Sequence, residues 1–389
     1  MTMTNSQPLS RLSPQNLEIV RALRFGRADS KASLAVATGL SPSTVTSRVQ
    51  DLLTLGHIVE TGDGESRGGR RPRRLAIRAE AGAVGCFDLG IDRSSVGLVD
   101  FSGALLAHAE IPLDVAAGPA PVFDTLWAAL GDLAAGHSER AIPPVRALSL
   151  GVPGPVAADG NRIVSPSRMP GWNGIDAAAM LGGVAGLPVV VNNDANLMAV
   201  GEYAAGDRAE GNLVFVKAGS GIGSGIICRG ELFVGADGVA GDISHVSVPD
   251  APPVACSCGR RGCLDALASG NALVKELQEA GEDVPDVESM IRRARDADAA
   301  ATRLLRGAGT MTGGVLSTII NFFNPDRLVL GGVLSQSEVF VNAVRATLYA
   351  ECLPMATERL TIALPRHPQT SGLLGGGAVV LDRIFGPGL

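Results

Sequence analysis

The sequence predicts an α/β protein in two parts, a small basic winged helix-turn-helix module followed by a larger acidic α/β body. Three observations predict it. From residue 84 onward, apolar strand-like runs empty into Gly-rich turns, as in VGCFDLG, NLVFVKAGSG and LVLGG. Helical spacing with start and stop signals precedes residue 56. Charge divides unevenly: residues 1–80 carry 12 Lys and Arg against 7 Asp and Glu, and the remainder 21 against 32. The net −6 therefore joins a basic segment to an acidic body that repels nucleic acid by itself. At 389 residues the chain exceeds one compact core and suggests two or three domains.

The first helix is marked by Leu17, Val20 and Leu23 at three-residue spacing. A short second helix spans about Lys31 to Thr38 and stops at Gly39, a C-cap signal. Ser41 and Pro42 read as N-cap and first position of a third helix. There Val45, Val49, Leu52 and Leu53 share a buried face, leaving Ser43, Thr44, Ser47 and Arg48 outward. Short hydroxyls and one guanidinium suit the approach of a helix to base edges and phosphates. After Gly56, HIVE and RRLAI read as two strands enclosing TGDGESRGGRRP, a hairpin wing bearing Arg67, Arg70, Arg71, Arg73 and Arg74. Those guanidinium groups would track a phosphate backbone or enter a minor groove; a solvated basic linker is the bland alternative.

In the body, VGCFDLGIDRSSVGLVD reads as a hairpin whose strands end near Asp88 and Asp100. LPVVVNNDANLMAVGEYAAG is a buried strand running through Asn192–Asn196 into a helix, with Asp194 at the switch. A carboxylate there either caps the helix or meets a ligand hydroxyl as acceptor or general base. In NLVFVKAGSGIGSGII, Gly219, Gly221, Gly223 and Gly225 alternate after an apolar strand. They would admit a phosphate or allow close packing of backbones. LVLGG places Gly331 and Gly332 at a strand end, where open α/β sheets bind ligands.

The densest signal is GDISHVSVPDAPPVACSCGRRGCLD at 241–265. Cys256 and Cys258 are too close to bridge each other comfortably, whereas Cys256, Cys258, Cys263 and His245 supply the four ligands of a closed tetrahedral zinc site. Four protein ligands leave no position for an activated water, so the expected ion is structural. Three unligated thiols beside a surface His is the competing reading. The six Cys, and a polar start without a basic cluster and apolar run, place the chain in the cytoplasm, where thiols serve as ligands or core residues more than as disulfides. No segment approaches the ~18 unbroken apolar residues of a membrane span.

Taken in order, GVPGPV at 151–156, PGW at 170–172, NDAN at 193–196, GSGIGSG at 219–225, the His245 and CSCGRRGCLD cluster, and LVLGG at 328–332 resemble the ROK family of repressors, open reading frames and sugar kinases across nearly the whole chain. The preceding winged helix-turn-helix resembles the subgroup that regulates transcription. The resemblance implies an actin-like fold of two α/β lobes: a DNA-binding domain at 1–80, a first lobe at 81–193 to which a helix at 372–389 returns, and a second lobe at 194–371 carrying the zinc loop. It implies a sugar in the cleft, contacted by Asn193, Asp194, Asp242, His245 and Asp265, with Asp194 at the position of the kinases' catalytic base. It also implies that Gly219, Gly221, Gly223, Gly331 and Gly332 are remnants of a nucleotide loop.

Departures from the family pattern bear on activity. The kinases' Asp-x-Gly-Gly-Thr loop reads here Asp88-Leu89-Gly90-Ile91-Asp92-Arg93, and the added bulk and negative charge oppose ATP and Mg²⁺. Asp242 and Asp265 each stand where the family carries Glu, retracting two acceptors by roughly 1.5 Å on covalent geometry. Arg168 stands for a common Asn and would receive a phosphate or carboxylate if it faced the cleft. The resulting expectation is a sugar-responsive repressor that binds double-stranded operator DNA as a homodimer or homotetramer, away from membranes. The alternatives are an ATP-dependent sugar kinase with an attached DNA-binding domain, and a ligand-independent DNA-binding or scaffolding protein.

Overall fold

The structure is a computed structural model that describes residues 12–63, 73–91, 93–137, 141–165, 169–206 and 211–386. Arg67, Arg70 and Arg71 of the expected wing, with Asp92 and Arg168, lie outside the described residues. The chain divides into two compact units, one of Met1–Gly151, Asp176–Asn192 and Gly376–Leu389, the other of Val152–Ile175 and Asn193–Gly375.

In the first unit, α1 (Pro14–Arg24) starts where the Ser13 hydroxyl accepts the Asn16 N–H at 3.2 Å. Ser30 and Ser33 cap α2 (Lys31–Thr38) reciprocally, and Gly39 closes it. Ser41 caps α3 (Pro42–Thr54), with Pro42 in the first turn. Ile19, Val20, Leu34, Val45, Val49 and Leu52 are fully buried together as the core of these three helices; Leu53 is half-buried. Behind them β1 (Ile58–Asp63) and β2 (Arg73–Ile77) pair antiparallel, Ile58 opposite Ile77, as the expected wing strands.

The first unit continues through β3 (Ala83–Asp88), β4 (Arg93–Asp100), β5 (Leu105–Pro112), α4 (Pro119–Gly136), β6 (Val145–Val152), α5 (Ala177–Ala185) and β7 (Val189–Asn193). Its five-stranded sheet has the order β5-β4-β3-β6-β7, antiparallel from β3 to β5, with β6 parallel to β3.

The second unit contains α6 (Asp194–Ala205), β8 (Leu213–Ala218), β9 (Ile222–Cys228), β10 (Glu231–Leu232), α7 (Leu264–Ala268), α8 (Gly270–Glu279), α9 (Val287–Arg295), α10 (Ala299–Phe323), β11 (Arg327–Gly331), α11 (Glu338–Glu351), α12 (Pro354–Thr357) and β12 (Thr361–Ala363). Its sheet has the order β10-β9-β8-β11-β12, again antiparallel through the first three strands and parallel beyond. The same order occurring twice is the duplicated topology of the actin-like class. A final helix, α13 (Ser371–Phe385), ends the described chain.

Expected in the first lobe, residues 152–175 belong to the second unit for local reasons. The Asn193 side-chain amide donates to the Gly154 carbonyl at 3.2 Å, and the backbone of Gly238 lies against the Val156 carbonyl. Among the described residues no helix is long and apolar enough to cross a membrane.

Candidate functional site

The second unit gathers the candidate site residues around β9 and the loop that follows it. Asn193 and Asp194 stand where β7 passes into α6. The Asn193 side-chain oxygen accepts the Asn196 N–H at 3.2 Å and so caps the helix, while its amide holds Gly154. Asp194 is buried; one carboxylate oxygen accepts the Ala195 N–H at 2.7 Å and the other meets the Lys217 ammonium. The helix-cap reading belongs to Asn193, one residue earlier than expected, and that frees one Asp194 oxygen for a side-chain partner.

Lys217 was not among the residues singled out from the sequence. Its signal was an ammonium near the end of the otherwise apolar strand LVFVKA, a placement that demands a carboxylate. Across the sheet Lys217 pairs with Gly223. Gly225 of β9 serves packing: a Cβ there would lie 2.6 Å from the Ala195 carbonyl oxygen and 2.9 Å from the Ala199 Cβ, so α6 sits directly on this strand. Gly219 to Gly221 form a turn beyond β8, the Gly219 N–H donating to the Gly221 carbonyl at 2.8 Å. Gly331 lies against the Phe215 ring, and Gly332, at φ +81°, lies against the Ala218 carbonyl.

Asp265 and Asp242 lie on the segments joined by this loop. Asp265 is buried and accepts the Ile222 N–H at 2.9 Å, pinning the start of β9 to α7. Its own N–H donates to the Ser244 carbonyl at 2.9 Å, which ties it to the turn that carries His245. Asp242 is exposed, and one of its oxygens accepts both the hydroxyl and the N–H of Ser244, the latter at 3.1 Å. Asp242 is thus held by a donor within its own loop, and Asp265 by one on another element, β9. Neither partner was visible in a comparison of residue types.

His245, Cys256, Cys258 and Cys263 bring one ligand atom each to a cluster in which all four atoms lie within 4.8 Å of one another. Short backbone pairings build it: Ser247 bridges to Cys263, Ala255 bridges to Arg261, and the Gly259 N–H returns to the Cys256 carbonyl at 2.9 Å. Cys258 and Cys263 sulfurs are 3.7 Å apart, and Cys256 Sγ lies 3.5 Å from His245 Nδ1. Metal–sulfur bonds of about 2.3 Å and a metal–nitrogen bond of about 2.0 Å in tetrahedral geometry require ligand separations of roughly 3.8 and 3.5 Å. The donor set and its spacing therefore fit a four-coordinate ion, with His245 Nδ1 as the ligand nitrogen. The Arg260 backbone N–H pulls the Cys258 thiol down to about 6, whereas burial pushes Cys263 up to about 12. A bound divalent cation would deprotonate all three thiols.

In the first unit, the residues expected at DNA lie on α3 and β2. Ser43 and Ser47 are exposed, and Thr44 and Arg48 are half-buried. The Ser41 hydroxyl lies 2.9 Å from that of Ser43 and 2.8 Å from that of Thr44. Arg48 pairs with Asp51 at 2.9 Å, Arg73 with Glu60, and Arg74 with Asp29 at 3.4 Å. All three are surface pairs, of a kind that contributes little to stability.

The sequence profile of the ROK family matches residues 84–383, leaving the helix-turn-helix module before it. The xylose repressor of Bacillus subtilis (strain 168) is 29% identical over 362 residues, covering 92% of this chain and 92% of its own. Among solved structures, a ROK family transcriptional regulator homologous to the E. coli MLC protein superposes with a TM-score of 0.76 at 22% identity. That match covers 95% of this chain and 97% of the other. A ROK family glucokinase from Streptomyces griseus, in complex with glucose and AMPPNP, superposes with a TM-score of 0.65 at 24% identity, covering 77% of this chain and 99% of its own.

Proposed function

The chain belongs to the ROK family, and from that membership and the geometry above we propose that it is a sugar-responsive transcriptional repressor. The observation that carries the reading is the helix-turn-helix with wing strands, α1 to β2, preceding a body that matches the family. The Bacillus subtilis repressor aligns over 92% of this chain, a span too long to omit that module. In this reading Ser43, Thr44, Ser47 and Arg48 face operator base edges, while Arg67, Arg70, Arg71 and Arg73 contact phosphates. Zinc is the ion held by His245, Cys256, Cys258 and Cys263, and its role is to fix the loop that carries His245 and Asp265.

A sugar bound at Asn193, Asp194, Asp242, His245 and Asp265 is the effector. Such hydroxyl ligands suit carboxylates, an amide and an imidazole, each offering acceptors or donors to vicinal hydroxyls. Operators read by paired recognition helices are two-fold symmetric, which calls for a homodimer or a homotetramer. The effector acts by preferring one of the protein's DNA-competent and DNA-incompetent states.

The test is to incubate the purified chain with fragmented DNA of its own genome, sequence what it retains, and repeat with a panel of sugars. A palindromic site whose retention changes with one sugar is the expected result. Absence of enrichment under every condition would sink the repressor reading. Sugar-dependent release of ADP from ATP, abolished by Asp194→Asn, would support the kinase in its place.

A further inference from the structure

Within the sugar site, Asp194 has a cationic partner that the family resemblance does not supply. Lys217 projects from the end of β8 and lays its ammonium on one Asp194 oxygen, while the Ala195 N–H holds the other at 2.7 Å. The Asp194 side chain is 6% exposed and that of Lys217 26%, so the pair is reached by solvent chiefly from the lysine side. We propose that Lys217 is a ligand-contact residue that joins Asp194 in a clamp for one hydroxyl of a neutral, unphosphorylated sugar. The proposal rests on the sugar-sensor reading of the same site.

A hydroxyl carries one hydrogen to donate and two lone pairs to accept. A sugar oxygen that donates to Asp194 comes within reach of the lysine ammonium, which donates to a lone pair of the same oxygen. Both bonds are charge-assisted, and together they satisfy the hydroxyl on both sides. The ammonium takes one of the oxygen's two lone pairs and also competes for the Asp194 oxygen that a general base would use to accept the proton, so the arrangement favours holding a sugar over activating it. The charges also select the ligand class. A phosphate ester at the clamped oxygen would be repelled by the Asp194 carboxylate at contact distance. A sugar lacking that hydroxyl would desolvate the pair and give it no hydrogen bond in return, which discriminates more strongly than loss of an apolar contact.

Calorimetric titration of the full-length protein tests this with D-glucose, D-xylose, D-glucose 6-phosphate and the singly deoxygenated analogues of the sugar that binds. Expected is binding of one neutral sugar and none of the phosphate. Lys217→Met should weaken the parent sugar by about tenfold or more, as loss of a charged hydrogen bond implies. The same variant should bind one particular deoxy analogue as the natural protein does. Asp194→Asn should show the same selectivity, and the double variant should be no weaker than the worse single one.

A purely structural role for Lys217 would weaken the parent and every deoxy analogue alike, and that result, or unaltered binding, overturns the clamp. Tighter binding of the sugar phosphate overturns the ligand class. If the natural protein binds none of these sugars, the sensor reading fails and the clamp with it, an outcome distinct from uniform weakening. Should Lys217→Met fail to fold, Lys217→Gln, which keeps a donor, takes its place in the same titrations.

Discussion

At the residue scale, the side chains expected to face a sugar are also the ones that hold the site together. Asn193 caps α6, Asp265 anchors β9, Asp242 closes a turn on Ser244, and His245 belongs to the Cys cluster. Substituting any of them would disturb those contacts, so the cleanest residue-scale prediction concerns the metal. Cys258 is the exposed ligand of the four and contributes little to the apolar core. Cys258→Ser should lower zinc in the purified protein from about one per chain to near zero, since a closed site needs all four ligands. The thermal midpoint should fall by several degrees, because structural metal binding contributes directly to folding free energy. Elemental analysis beside a melting curve checks both, and unchanged metal content would refute the ligand set. The cluster was legible in the sequence because its ligands lie close together in the chain. Lys217 was not, because its partner Asp194 comes from another element and meets it only after α6 has settled on β9.

At the element scale, glycines decide how closely helices pack. α13 runs through three consecutive glycines, Gly375 to Gly377, each costing about 1 kcal/mol of helix propensity relative to Ala. Close packing offsets that cost. A Cβ at Gly375 would lie 1.8 Å from the Leu197 carbonyl oxygen, and one at Gly201 of α6 would lie 2.0 Å from the Ser371 carbonyl oxygen. Gly201→Ala should therefore force α6 and α13 apart and destabilise the protein by about 1–3 kcal/mol, the usual cost of overpacking, despite Ala's better helix propensity. Chemical denaturation measures this, and a stability equal to or above that of the natural chain would show that the two helices yield. Strand periodicity and helix caps predicted the hairpin ending at Asp88 and Asp100 and the start of α3 at Ser41. The role of Gly201 carried no local signal, because the contact that requires it lies 170 residues away at Ser371.

At the scale of the whole molecule, the helix-turn-helix module is joined to the C-terminal helix within the first unit. Arg24 of α1, its side chain 3% exposed, pairs with Asp382 of α13 at 2.9 Å. His57, between α3 and β1, stands edge-on to the Phe385 ring with centroids 5.8 Å apart. His57 is buried, its Nε2 has no hydrogen-bond partner among the described residues, and burial lowers its pKa from the ordinary 6.5. Protonation therefore favours the unfolded chain. The stability that depends on neutral His57 is complete above about pH 6.5 and is lost as the pH falls from there through the depressed folded value. Denaturation midpoints between pH 7.5 and pH 5 should decline more steeply for the natural chain than for His57→Gln. Parallel declines would mean that His57 is not the group responsible.

The chain's own order of residues determined the division into a basic N-terminal module and an acidic body, the helix-turn-helix, the His and Cys cluster and the family. Each of these is written in local spacing, in caps and periodicity, or in the sum of charges along a segment, and none needs distant segments to meet. Tertiary structure alone decided what each site carboxylate touches, which glycines serve packing, and how α1 is tied to α13. Those are contacts between elements far apart in sequence, made when burial forces every charged or polar group to find a partner, and the partner is chosen by geometry that residue types do not encode.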